Sequence, residues 1–517
     1  MSMHLVKSIH NDFLRVISMS LKKDISEKEI FSAIGSLEKK YQKNESYQRA
    51  IGGLMCNLGA DIKSKNLINA AIKKIKQKLQ EKEYNELLFN LGNCFHALAE
   101  IELSEAGLTL KALIETSTFN DAIAYYSKAK PDNIYSYEKS ITNAANILNR
   151  HGRNLEAIYL FDKALKRNPR FGMASGNKAI AIHHYISLTH KELGNHVSLP
   201  LISTAIELLI KALQDDKLQE IGGINAEIAF KGYLQKLSSV FERPNLENHS
   251  EKHNKLSNYQ KFCLKKNIFL NYDFGYYYDK QSTVDNFFPK FIEELSEKRS
   301  RNDLMSEKTY YSFHVWNQII EAFTSSRKHY FDILNQNHTH TDKQVIYAYT
   351  FDYSRHGIKY GSLKSIFCNL YNCLDKIGRL TYFYFSDTID NYENKFHFSE
   401  LSEDGFKDII TKTNNIQLVA LRSLSLDFTT GHQYSYLREI RNRITHSFLN
   451  VRDDLISTSN LADFEIVLKK LYCSIEEMFL IVKAAIMYSV IAINSTKKND
   501  KTISLIATLE KDIFRGV

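Results

Sequence analysis

The sequence is poor in proline and glycine, and it contains no CxxC cysteine pair. Only 5 prolines and 20 glycines occur in 517 residues, which disfavours turn-rich β architecture and favours helices. The 6 cysteines include no CxxC pair, so neither a disulfide scaffold nor a zinc ribbon is expected. The N-terminus has no uninterrupted apolar core followed by small residues. We therefore expect no secretory signal, a cytoplasmic location and reduced, mostly buried thiols.

Long apolar runs are also missing. The most membrane-like segment, Met478 to Asn494, is short and carries Lys483, which predicts a buried bundle helix and not a membrane span. The sequence has no Walker A loop, no GxGxxG and no GxSxG, so it offers neither a nucleotide-binding fold nor a hydrolase elbow. The composition is 44% apolar and 25% charged, with a net charge of +9. This balance is typical of a soluble globular protein and suits either a nucleic-acid partner or a lysine-rich solvated surface.

A repeat pattern runs through the N-terminal half. One segment matches the spacing of a tetratricopeptide (TPR) unit through Ala145, Leu148, Gly152, Ala157, Phe161, Ala164 and Pro169. Parts of the same pattern recur at Leu88, Leu91, Gly92 and Phe95, at Ala122, Tyr126 and Ala129, and at Ala205, Leu209 and Ala212. Because the spacings are irregular, they predict about three degenerate TPR-like hairpins over residues 85–240, preceded by a helical region over 1–84. An unrelated helical bundle is the alternative.

The character of the sequence changes after residue 240. Residues 241–305 are first polar and then aromatic, with little helical periodicity, which predicts a connector with its own packing. No proline follows Pro289, so long helices are allowed, and we place them at 306–336, 359–387, 434–450 and 462–495. The second has an apolar stripe at Leu363, Phe367, Leu370, Leu374 and Ile377. The sequence therefore predicts an all-α protein that ends in a four-helix bundle over 306–517.

The stretch REIRNRITHSF, Arg438 to Phe448, places polar residues unusually on its helix. A helical wheel puts the predicted core face at Leu437, Ile440, Ile444 and Phe448. Asn442 and His446 lie nearly opposite that face, and Arg441 lies at its edge. The histidine is therefore predicted to point outwards, where a second copy of the domain could meet it.

These residue types suit metal-free cleavage of RNA. The imidazole of His446 can act as general base or acid near neutral pH, and the Arg441 guanidinium is a permanent cation for the transition state. Asn442 can orient the ring or bond a phosphate oxygen. In such a reaction a base removes the proton of a 2′-hydroxyl, and that oxygen attacks the adjacent phosphate. We expect Arg438 or Arg443 to position the RNA, and no metal or other cofactor is required. A solvated basic helix face is the alternative.

At Arg441, Asn442 and His446 the sequence resembles the HEPN superfamily, whose four-helix bundles carry an RxxxxH motif that is often RNxxxH. The resemblance extends over roughly residues 250–517. Two further segments look like the lead-in and second helix of a bacterial HEPN branch that is often fused to helical repeats, Tyr259 to Asn271 and Leu363 to Phe385.

The resemblance implies a homodimer in which two motifs face each other and form one RNA-cleaving site. Such domains usually serve as toxins or in antiphage defence, although some members are inactive scaffolds. A polar residue on the second helix often supports the motif, and Asp375 is the candidate here. A surface pairing of Asp375 with Lys376 or Arg379 is the alternative.

Two other motifs have simpler explanations. His338, His340 and Asp342 alternate in NHTHTD, but no further ligand lies nearby in sequence, and we expect no metal site. The aromatic run from Phe274 to Lys280 is more typical of core packing than of base stacking.

Two classes of function stay open at this point. In the first, the protein is an endoribonuclease acting on tRNA or mRNA, and a protein or peptide bound by the repeats triggers or inhibits it. In the second, repeats and bundle form a non-catalytic scaffold that dimerises or binds nucleotide. A weaker third possibility is a regulator whose repeats bind a signalling peptide. None of these requires a membrane.

Overall fold

A computed structural model of the protein describes most of the chain, and nearly all of what it describes is helical. The described residues are 3–20, 26–81, 84–129, 134–189, 195–240, 255–274, 280–294, 306–335, 344–348, 354–386, 396–452, 465–496 and 502–505. The predicted all-α fold is confirmed, because the strands in these ranges are only three or four residues long.

The helices of the first half follow one another closely along the chain. They are α1 (Met3–Ser20), α2 (Glu27–Tyr41), α3 (Glu45–Asp61), α4 (Lys65–Glu81), α5 (Asn85–Glu105), α6 (Leu110–Glu115), α7 (Thr118–Ser127), α8 (Ile134–Arg150), α9 (Asn154–Arg167), α10 (Gly172–Thr189), α11 (Asn195–Leu213) and α12 (Leu218–Val240).

The helices of the second half are longer and are accompanied by short strands. They are α13 (Asn258–Lys266), α14 (Glu307–Asn335), α15 (Ile358–Phe385), α16 (Asp404–Thr413), α17 (Ile416–Leu426), α18 (Ser435–His446) and α19 (Leu468–Asn494). Strand β1 (Phe291–Glu294) pairs antiparallel with β4 (Thr502–Leu505), and β2 (Asn450–Arg452) pairs parallel with β3 (Glu465–Val467).

Small residues allow the predicted hairpins to close. Helix α5 packs against α7, and a Cβ at Gly92 would lie only 2.5 Å from the ring of Tyr126. Gly152 forms the α8–α9 turn with a φ of 78°, a conformation that side chains disfavour. Helix α6 occupies the unusually long interval between Gly92 and Ala122. These helical pairs are consistent with repeats, and their TPR type stays a prediction.

The buried apolar residues form two clusters. One joins α1 to α5, and the other extends from α5 to the end of α19. The second cluster includes connector residues such as Phe269 and Phe287. The predicted separate packing of the connector is therefore wrong in this respect, since these aromatic side chains are buried in a core shared with the N-terminal helices and the bundle.

The four predicted long helices occur with shifted ends. Helices α14 and α15 begin and end within two residues of the expected positions. Helix α19 begins at Leu468 and not at 462, because β3 occupies 465–467. Two helices that the periodicity did not predict, α16 and α17, are inserted before α18, and α17 packs against α19.

Helix α18 is shorter than predicted. It ends at His446, and the backbone of Ser447 leaves helical geometry with φ −143° and ψ −130°. Consequently Phe448 is 56% exposed, and its predicted place on the core face is wrong. Leu449 is buried instead, because the chain has turned towards β2.

Two predictions about buried groups hold. All six cysteines are free, and four of them are buried. Lys483 is fully buried within α19, where its Nζ donates to the backbone oxygen and the Oδ1 of Asn267 at 3.3 and 2.8 Å. Burial lowers the pKa of this lysine to about 8. No helix in the described residues is long and apolar enough to cross a membrane.

Candidate functional site

The RNxxxH residues lie on the outer side of α18. Leu437 and Ile440 are buried, and α18 packs against α15. The opposite side of the helix carries Asn442 and His446, and both are exposed. The helical period thus fixes the core-facing residues and leaves the polar ones at the surface.

Arg441 joins the three motif residues. Its Nη1 donates to His446 Nε2 at 3.2 Å and to Asn442 Oδ1 at 3.2 Å. Because a guanidinium can only donate, Nε2 is the acceptor in this bond and Nδ1 carries the ring proton. Asn442 accepts a hydrogen bond from Arg441 and forms none with the imidazole. Of the two roles expected for Asn442, orienting the His446 ring is therefore not observed.

A tyrosine from α15 lies beneath this arginine. The Arg441 Cζ is 5.6 Å from the centre of the Tyr371 ring, a distance suited to a cation–π interaction. Burial raises the pKa of Tyr371 to about 12, so its hydroxyl stays protonated at neutral pH. Tyr371 supports the motif from the second helix, which is the place where Asp375 was expected.

Asp375 lies one turn further along α15 and bonds a different element. Its Oδ1 accepts the backbone N–H of Phe398 at 2.8 Å, and its Oδ2 is 3.9 Å from His397 Nδ1. Burial raises the pKa of Asp375, and the nearby Arg441 charge opposes that shift. A pairing of Asp375 with Lys376 or Arg379 stays the alternative.

The two candidate RNA-binding arginines differ in placement. Arg438 is exposed and precedes Asn442 by one turn on the same side of α18, while Arg443 is half-buried and lies past His446 on the wheel. Of the two, Arg438 is therefore closer in direction to the motif. Both contribute positive charge that a phosphate backbone would meet.

Sequence reasoning missed two neighbours of the motif. Tyr371 is one, and Cys368 is the other, with its Sγ 4.0 Å from Thr445 Oγ1. Burial raises the pKa of the Cys368 thiol, so it is not a reactive thiolate at neutral pH. Cys368 and Tyr371 are three residues apart and lie on the same side of α15. The sequence alone could not identify them as neighbours of the motif, because it does not show that this side of α15 contacts α18.

Other candidate segments fall outside the described residues. These are NHTHTD, with His338, His340 and Asp342, and residues 275–279 of the aromatic run. Within the described residues no group of three or more His, Cys, Asp or Glu side chains is placed to hold a metal ion.

A family comparison agrees with the position of the motif. Residues 304–496 match the family model described as LA2681-like HEPN. This part of the chain is a HEPN domain. The HEPN domain contains α14 to α19, and the Arg441–His446 pair lies on its surface. The comparisons found no similar curated protein and no similar solved structure.

The HEPN domain presents groups that can move a proton and bind an anion at one spot. His446 offers an imidazole, and Arg441 offers a fixed positive charge within hydrogen-bond distance of it. HEPN domains include both ribonucleases and non-catalytic members. The arrangement is therefore suited to RNA chemistry or to RNA binding.

Proposed function

We propose that the protein is a metal-independent endoribonuclease whose site forms from two RNxxxH motifs across a HEPN dimer. The observation that carries the proposal is the bond between the Arg441 guanidinium and His446 Nε2 on an exposed helix face. A structural arginine would be expected to pair with a carboxylate, whereas this one contacts an imidazole, an amide and a ring.

In the proposed reaction the phosphate of the RNA competes for Arg441. The guanidinium moves from His446 Nε2 to the phosphate oxygens, because a charge-assisted pair is stronger than a bond to a neutral ring. The freed Nε2 accepts the proton of the 2′-hydroxyl, whose oxygen forms a bond to phosphorus as the bond to the 5′-oxygen breaks. The partner's His446, in its protonated form, gives a proton to the leaving oxygen. The products carry a 2′,3′-cyclic phosphate and a 5′-hydroxyl.

The dimer is supported by the composition of the exposed surface around the motif. Asn442 and His446 are exposed, and the neighbouring Phe448 is 56% exposed. An aromatic ring beside polar groups is typical of protein interfaces. We assign the N-terminal helical repeats a regulatory role and the whole protein a toxin or antiphage defence role. The alternative is a non-catalytic scaffold or binding protein.

The proposal is tested with purified protein in EDTA, using total tRNA and an mRNA as substrates. Wild type, His446→Ala and the matched control His329→Ala are compared, since His329 is an exposed histidine on α14. We expect wild type and control to cleave and His446→Ala to lose cleavage, with 2′,3′-cyclic phosphate or 3′-phosphate ends. Equal products from all three proteins would point to contamination, and no cleavage by any would favour the scaffold.

Mixing tests the composite site separately. Wild-type chains are allowed to exchange with a large excess of His446→Ala chains, and cleavage per wild-type chain is measured. We expect a clear loss, because most wild-type motifs then face a motif without histidine. The same excess of His329→Ala should cause no loss. An unchanged rate with His446→Ala would mean that one motif acts alone.

A further inference from the structure

A buried ionic cluster connects the α8–α9 turn to the HEPN domain. Arg153, in that turn, and Asp427, just after α17, are both 0% exposed, and Arg153 Nη1 lies 2.7 Å from Asp427 Oδ2. The same guanidinium donates to both carboxylate oxygens of Glu156 on α9, at 2.9 and 2.6 Å. Arg153 Nη1 also donates to Ser423 Oγ at 3.2 Å.

Two tyrosines of the HEPN domain complete this cluster. The hydroxyl of Tyr488 on α19 donates to Glu156 Oε2 at 3.1 Å, and that of Tyr434 is 3.5 Å from Glu156 Oε1. The repeat side thus supplies one cation and one carboxylate. The HEPN side supplies one carboxylate and three hydroxyl groups, those of Ser423, Tyr434 and Tyr488. No member is left as an isolated buried charge.

Such a cluster is a costly way to join two parts of a protein. Apolar side chains of similar volume often give equal or greater stability, because charges must lose their hydration. What charges add is direction, since a guanidinium fork accepts carboxylates only in a narrow range of geometries. The cluster therefore fixes where α9 lies relative to the segment that follows α17.

That segment leads directly into the motif helix. Asp427 begins it and Tyr434 ends it, one residue before α18. The backbone N–H of Tyr434 donates to the backbone oxygen of Asp427 at 2.7 Å, so a hydrogen bond joins the two ends of the segment. Both closing residues also contact the repeat side through their side chains.

Packed rings extend this connection to Arg441. Phe428 contacts Tyr434 and Tyr371, with ring centres 5.6 and 5.8 Å apart. Tyr371 is the ring beneath the Arg441 guanidinium. Arg153 and Arg441 are thus joined by a continuous series of contacts through Asp427, Phe428 and Tyr371.

We propose that Arg153 is a positioning residue for the HEPN site, through which the helical repeats set the orientation of Arg441. The inference rests on the proposed ribonuclease function. Arg153 anchors the start of α18 and the ring under the motif arginine from outside the HEPN domain. A ligand that shifts α9 would shift the same anchor, which gives the repeats a direct physical route to the catalytic pair.

The test combines kinetics with hydrogen exchange. Arg153→Met, Glu156→Gln and Asp427→Asn are combined in one protein, so that all three charges go and side-chain size is kept. Arg153→Lys keeps the charge without the fork, and Arg150→Met is the matched control, because Arg150 pairs with Glu100 inside the repeats. We expect the triple variant to lower kcat about 10- to 100-fold with little change in KM. Arg153→Lys should lie between it and the control.

Exchange mass spectrometry over residues 427–446 gives a readout that does not need activity. The triple variant and Arg153→Lys should exchange faster there, and Arg150→Met should match wild type. If the triple variant does not fold, the kcat and the hydrogen exchange of Arg153→Lys alone test the inference. Unchanged kcat and exchange in a folded variant would overturn the inference. If wild type cleaves no RNA, the ribonuclease proposal fails, while the exchange result still decides whether Arg153 orders the segment.

Discussion

The contact between Arg441 and His446 determines what each residue can do at rest. In the proposed reaction His446 acts as general base through Nε2, the nitrogen to which Arg441 donates. The same bond occupies Nε2 until a better partner for the guanidinium arrives. In the proposed mechanism Nε2 is therefore available as a base only after an anion has bound the guanidinium.

Replacing Arg441 by lysine tests this coupling. Lysine keeps the charge but cannot donate from one planar group to two acceptors, and it stacks less well on Tyr371. We expect Arg441→Lys to reduce kcat about 100-fold, on the scale of losing one transition-state donor. Steady-state cleavage of a defined RNA measures it. Arg170→Lys, at an exposed arginine outside the HEPN domain, is the matched substitution and should keep kcat. Equal losses in the two variants would contradict a special role for Arg441.

The sequence predicted which residues meet at the motif but not how they bond. The spacing of Arg441, Asn442 and His446 on one helix follows from its period alone. That Asn442 would bond the arginine, and that Tyr371 rather than Asp375 would lie beneath it, depends on the contact between α15 and α18. Helix periodicity contains no information about which residues of two helices meet.

At the scale of elements, the helices contain glycines in two different surroundings, one in close contact with a neighbouring helix and one in open space. Gly92 allows α5 to approach Tyr126, whereas a Cβ at Gly35 of α2 would meet nothing within 4 Å. The same substitution should therefore have opposite effects at the two sites.

We expect Gly92→Ala to lower the free energy of unfolding by about 1–3 kcal/mol, because the added methyl group overlaps a buried ring. Gly35→Ala should raise it by about 0.5–1 kcal/mol, since alanine restricts the unfolded chain and favours helix. Denaturant unfolding with matched m-values measures both. A stabilising Gly92→Ala would mean that α5 and α7 are not in close contact.

Helix ends were the least predictable elements. The periodicity of α18 continues in the sequence to Phe448, yet the helix stops at His446 because the next residues enter β2. Parallel pairing of β2 with β3 joins segments that are not neighbours in sequence, and no local pattern announces it. Helices α14 and α15 were predicted well because each is long and strongly periodic.

At the scale of the whole molecule, the described N-terminal helices from α5 onwards and the HEPN domain share a core and a buried polar junction. Arg153 and Ser423 are 270 positions apart in the chain. A single sequence gives no reason to join them, so the contact between the N-terminal helices and the HEPN domain could not be predicted from it. The division at residues 84, 240 and 305 stays a prediction.

The junction also contains a histidine that should make stability depend on pH. His151 is buried, and its Nδ1 donates to the backbone oxygen of Ile147 at 2.9 Å. Burial lowers its pKa from 6.5 to about 4. Below pH 6.5 the unfolded chain takes up a proton that the folded protein takes up only near pH 4. Stability should therefore fall as the pH drops through this window, by up to about 1.4 kcal/mol per pH unit.

Chemical unfolding between pH 7 and pH 4 measures this dependence. His151→Gln should lower the slope of unfolding free energy against pH by the contribution of one proton, up to about 1.4 kcal/mol per pH unit. His329→Gln, at an exposed position on α14, should leave this slope unchanged. Identical slopes in the two variants would show that His151 is not the group responsible.

The burial of α19 has a consequence for the order in which the protein is made. This helix follows the motif in the chain, is buried from Leu471 to Ile493 along its inner side, and packs against α9, α15 and α17. A nascent chain still on the ribosome already contains Arg441 and His446 but lacks Glu477, which bonds Tyr436, and Tyr488, which bonds Glu156. The motif is thus translated before the helix that holds it in place. Under the proposed function, the RNA-cleaving site is therefore complete only after α19 has been translated.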